Sequence, residues 1–83
     1  MRLTKREKGL LAKQYAERLY WGKAGSPADL PALKQRRDWQ TASEYEQREI
    51  VSELASLARD ELLKAGHNRD IVLQHVEPYI RKW

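Results

Sequence analysis

The sequence predicts an all-α domain, a small helical bundle of three principal helices plus one short helix. Three observations predict it. Apolar residues recur with helical spacing along two long stretches, and each stretch opens on Ser or Thr followed three residues later by Glu. No alternating run bounded by a two-residue turn signals a strand.

The first helix is expected over residues 4–21. Thr4 and Glu7 have the spacing of a capping box, in which each side chain satisfies the other's free amide. Gly22 ends it, and Gly25, Ser26 and Pro27 form the loop behind. At about 100° per residue, Leu11, Ala12, Tyr15, Ala16 and Leu19 share one face, with Leu10 and Trp21 on the other side.

Residues 22–42 are a loop with a short helix at 31–38, because Pro31 after Asp29 suits a first helical turn. The long helix follows over 43–65. Ser43 and Glu46 form a second capping box, and Gly66 is the C-terminal cap. Ile50, Val51, Leu54, Leu57, Ala58, Leu62 and Ala65 make its apolar stripe. The last helix covers 68–83, capped by Asn68 with Asp70 in its first turn. Pro78 cannot donate to Gln74, so the helix kinks or restarts there.

The 83 residues read as one domain with a small core, since Leu, Ile and Val number seventeen and Phe is absent. There is no cysteine, so neither disulfides nor thiolate metal sites support the fold. No apolar run approaches the roughly 18 residues of a membrane span, and the charged start does not lead into a secretory signal. The expected location is the cytoplasm.

Charge is sorted along the chain. Residues 1–37 carry ten Lys/Arg against three acids; residues 38–63 carry seven acids against two arginines. A basic front half steers toward an anionic partner, or lies beside the acidic segment of its own fold. All seven aromatics are Tyr or Trp, which with Arg are the residues that anchor protein interfaces. Tyr45 falls about 180° from Leu54 and should face away from the core.

Other features have plainer explanations. Glu61 projects within about 20° of Leu54, in the apolar stripe, where a carboxylate needs an arginine partner. His67 and His75 match no zinc pattern. Residues 58–77 read as an ordinary helical hairpin rather than a DNA-binding one, because Leu62 is too large and Asp70 and Glu77 repel phosphate. The aromatic and basic residues at 78–83 are expected to pack back on the first helix. No catalytic motif appears, no metal or cofactor is expected, and an enzyme is not expected.

These observations lead to a small non-enzymatic adaptor, inhibitor or regulator acting on a larger protein assembly. Its size suits an accessory protein of the kind phages and mobile elements encode. Trp21, Arg36, Arg37, Trp39 and Tyr45 are the expected protein-binding residues. The alternative is nucleic-acid binding through Arg2, Lys5, Arg6, Lys8, Lys13 and Arg18. Self-association is compatible with either, since basic and acidic faces can pair between copies.

Overall fold

The computed structural model describes residues 3–22 and 25–80. Its helices are α1 (Lys5–Tyr20), α2 (Pro31–Lys34), α3 (Arg37–Thr41), α4 (Glu44–Lys64) and α5 (Arg69–Val76), with 3-10 turns at Pro27–Asp29 and Glu77–Tyr79. No strand occurs among the described residues.

Each long helix begins where a side-chain oxygen takes over a free amide. The Glu7 amide donates to Thr4 Oγ1 (3.1 Å) and the Thr4 amide donates to Glu7 Oε1 (3.2 Å), completing the box. At α4 only half of the expected box forms. The Glu46 amide donates to Ser43 Oγ (3.2 Å), but the Ser43 hydroxyl, rather than its amide, meets the Glu46 carboxylate. Asn68 Oδ1 caps α5 through the Ile71 amide. Gly66 turns α4 into α5 with a φ of 89°, which frees the His67 amide to reach the Leu62 carbonyl and its own amide to reach Leu63.

The middle differs from the single short helix expected at 31–38. Leu33 and Trp39 are both buried. Six residues apart on one continuous helix, they would point about 120° from each other. The chain instead leaves the helix at Gln35, passes through an extended Arg36 (φ −73°, ψ 127°) and restarts, which turns Trp39 inward. Pro78 likewise ends α5 at Val76 and restarts the chain as a 3-10 turn. Residues 81–83 of the expected tail lie outside the described residues, so the packing expected for Trp83 does too.

α1 and α4 run parallel. Lys8 pairs with Glu53, and at the far end Tyr20, the last residue of α1, meets His67 in the turn just past the end of α4. Parallel neighbours cannot be joined by a short loop, which is why residues 21–43 form a long crossover. Helical periodicity turns Leu11, Tyr15, Ala58 and Leu62 to one side of this pair. There they pack with Leu30, Leu33 and Trp39 of the crossover and with Val72 and Val76 of α5. The result is two layers, with α1 and α4 forming the first.

Tyr15 sits at the centre, fully buried, and its hydroxyl donates to the Gly25 carbonyl at 2.7 Å. Burial pushes the Tyr15 phenol well above its ordinary range. Gly25 has a φ of 146°, and a methyl group there would meet the Asp29 carboxylate at 3.0 Å.

On α4 the buried set is Ile50, Leu54, Ala55, Ala58 and Leu62. Its centre is displaced from Leu54 toward Ala55, so Glu61 and Leu57 fall at the rim. Glu61 is exposed, against the expectation of a carboxylate within the stripe, and needs no buried partner. Leu57 is 37% exposed. Ala65, also expected in the stripe, is exposed at the helix end. No helix among the described residues is long and apolar enough to cross a membrane.

Candidate functional site

The residues expected to bind a partner do not form one surface. Trp21 stands at the end of α1 and is 70% exposed. Tyr45 is exposed in the first turn of α4. The parallel arrangement puts these two at opposite ends of the bundle, about 30 Å apart along α4 at 1.5 Å per residue. Arg37 is exposed at the start of α3, with Tyr45 nearby in sequence rather than Trp21.

Trp39 is not an exposed anchor. Its ring is buried, its carbonyl accepts from Gln47 Nε2 (2.7 Å), and its amide donates to Asp38 Oδ1 (3.0 Å). Arg36 is also turned to internal use. Its guanidinium grips the Asp38 carboxylate with two hydrogen bonds (3.0 and 2.9 Å) and reaches across to Glu7 Oε2. Because Glu7 also caps α1, this one arginine ties the start of α1 to the start of α3. The hydrogen bonds from Arg36 hold both Glu7 and Asp38 below the usual carboxylate range.

Around Trp21 the structure assembles a different group. The Tyr20 ring lies edge-on to Trp21 (5.2 Å between centroids, 89° between planes) and edge-on to His67 (5.3 Å, 80°). Tyr20 is exposed, and so is Ile71 in the first turn of α5. A shallow depression of about 200 Å³ runs between them, lined by Leu19, Tyr20, Leu62, His67, Ile71 and His75 among others. On the opposite side Trp21 borders a groove with Arg18, Leu30 and Pro31. Local sequence explains the display. Tyr20 and Trp21 are the last turn of α1, and Gly22 (φ 78°) carries the chain away from them.

Tyr20, His67 and Ile71 were not among the expected site residues. A signal for Tyr20 is present, since it falls about 180° from Leu11 on the helix. Ile71 lies about 100° from the Val72–Val76 line that faces the core, so an exposed place was legible for it as well. The contact of His67 with Tyr20 depends on the parallel packing, which local periodicity does not encode.

The basic set is also divided. Lys8 is engaged with Glu53 of α4 (3.0 Å), and Arg18 is half-buried beside the Trp21 groove. Lys5, Arg6 and Lys13 are exposed. Arg6 and Lys13, seven residues apart, lie on one line of α1, while Lys5 is about 100° away from Arg6. Arg2 lies outside the described residues. Among the described residues no three His, Asp or Glu side chains gather with metal-binding geometry.

No protein-family model, curated protein or solved structure matches this chain.

Proposed function

We propose that this chain is a small non-enzymatic protein-binding module, an adaptor, inhibitor or regulator that docks on a larger protein through the end of the bundle bearing Tyr20, Trp21 and Ile71. The observation that carries this reading is the solvent-exposed Tyr20–Trp21 pair. Trp and Tyr anchor interfaces because each buries a large, rigid area with one polar atom left to satisfy. Here the backbone of both rings is set by the last turn of a helix and its cap, so docking orders little that is not already ordered. Ile71 extends the apolar area, and Arg18 beside Trp21 supplies a charged rim.

A tagged pull-down from lysate of the native source tests the reading. The expected result is a defined protein that co-purifies with or without nuclease and is lost with Trp21→Ala. A hot-spot tryptophan truncated to alanine costs roughly 2 kcal/mol or more, a loss of about thirtyfold in affinity. Capture unchanged by Trp21→Ala means that another surface binds. Loss of all co-purifying material on nuclease treatment, together with sensitivity to Lys13→Gln, supports nucleic acid as the partner instead.

A further inference from the structure

The depression at the binding end has a chemistry that says what it receives; the inference rests on the reading that a protein docks there. Leu19 of α1, Leu62 of α4 and Val72 of α5 all line it, so three helices contribute apolar surface. Exposed Tyr20 and Ile71 extend that surface. Its volume of about 200 Å³ is below the roughly 300–1,000 Å³ of sites that enclose a whole small molecule, and suits a single side chain. No Asp, Glu, Lys or Arg lines it among the described residues. Lys64, Arg69 and Asp70 flank the turn between α4 and α5 in sequence, and are exposed without lining the depression.

Both histidines of the chain do line it, His67 from the turn and His75 from α5. The only other titratable group in the lining is Tyr20 of α1; α4 contributes Leu62 alone. His67 is half-buried, its ring lies edge-on to Tyr20 at 5.3 Å, and its amide donates to the Leu62 carbonyl at 3.1 Å. Ring and backbone are thus both engaged at the edge of an apolar surface. Histidine is the side chain whose charge changes between about pH 5 and pH 8.

We infer that this depression takes one uncharged apolar side chain of the partner, of leucine or phenylalanine size, and that docking is proton-linked through His67 and His75. A charged anchor of either sign finds no fixed charge here to pair with, which selects the uncharged one. An apolar side chain set against a protonated imidazole removes water from a charge and supplies no hydrogen bond in exchange. Docking therefore favours the neutral rings, and binding drives off their protons. Affinity is complete above the histidine range and falls as pH drops through it, by up to about tenfold per pH unit for each ring involved. An anchor bearing a carboxylate has the opposite sign, because protonated imidazoles attract it.

Methyl-resolved NMR of the purified chain, titrated with N-acetylphenylalanine amide as a neutral probe at about pH 8 and about pH 5, reads both parts. The expected result is a shift of the Leu19, Leu62 and Val72 methyl signals at the higher pH, with affinity weaker by about tenfold or more at the lower. In a variant carrying His67→Gln and His75→Gln the probe still binds and the pH dependence is lost; each substitution alone removes part of it. An unchanged helical circular-dichroism spectrum at both pH values confirms that every variant is folded. Absence of shifts at those methyls overturns the proposal, as does binding that tightens on acidification or a pH dependence that survives the double substitution. The probe needs no partner, so these outcomes are separate from the docking reading, which fails when capture is unchanged by Trp21→Ala.

Discussion

At the scale of single residues, two constrained positions, Tyr15 and Gly25, meet at one hydrogen bond. Tyr15 is fully buried, and its hydroxyl has the Gly25 carbonyl as partner. Removing the hydroxyl with Tyr15→Phe leaves that carbonyl without it and should destabilise the fold by about 1–2 kcal/mol. Gly25→Ala should cost a comparable amount, about 1–3 kcal/mol, because φ of 146° and the nearby Asp29 carboxylate both reject a side chain. Gly9 is the opposite case. It sits in the interior of α1 with open space around it, so Gly9→Ala should raise stability by about 0.5–1 kcal/mol. Urea unfolding midpoints, with unchanged slopes, check all three. That Tyr15 faces inward was legible from its spacing to Leu11, Ala12 and Leu19. Its partner was not, since a loop carbonyl has no signature in a side-chain pattern.

At the scale of elements, Arg36 joins helices that are otherwise separate. It binds Asp38 at the start of α3 and Glu7 at the start of α1. Both carboxylates are held below their ordinary values of 4.5 and 3.8, first through their hydrogen bonds to Arg36. A depressed carboxylate stabilises the folded state above its unfolded pKa, and that contribution is lost as pH falls through the folded value. Arg36→Met should therefore lower the thermal midpoint at pH 7. The gap between variant and wild type should close as pH is taken down through the lowered range in which Glu7 and Asp38 are protonated in the folded state. A gap that stays constant with pH means that Arg36 acts through packing alone. The caps at Thr4, Ser43 and Asn68 were readable because capping needs particular residues at fixed spacing. The division of residues 31–41 into two short helices was not, because it follows from the need to bury Leu33 and Trp39 on one core. That demand is tertiary.

At the scale of the whole molecule, the all-α architecture was legible, and the relative direction of its helices was not. Periodicity and caps locate α1, α4 and α5 but do not say that α1 and α4 are parallel. That direction decides which residues share an end. It separates Trp21 from Tyr45 and brings Trp21 together with Tyr20, His67 and Ile71. It also brings Lys8 of the basic first helix against Glu53 of the acidic α4. Burial of Trp39 and exposure of Trp21 make these two of the three tryptophans optically distinct. Acrylamide should quench Trp21 strongly and Trp39 weakly, compared through variants that keep one of them and replace the other two tryptophans by Phe.

Site-specific photo-crosslinking tests the binding end most directly. A benzophenone amino acid is placed at position 21 in one protein and at position 45 in another, and each is irradiated in lysate of the native source. A nuclease-resistant protein adduct at position 21, absent at position 45, is the result this structure predicts. Adducts at position 45 alone, or adducts to nucleic acid at either position, would contradict it.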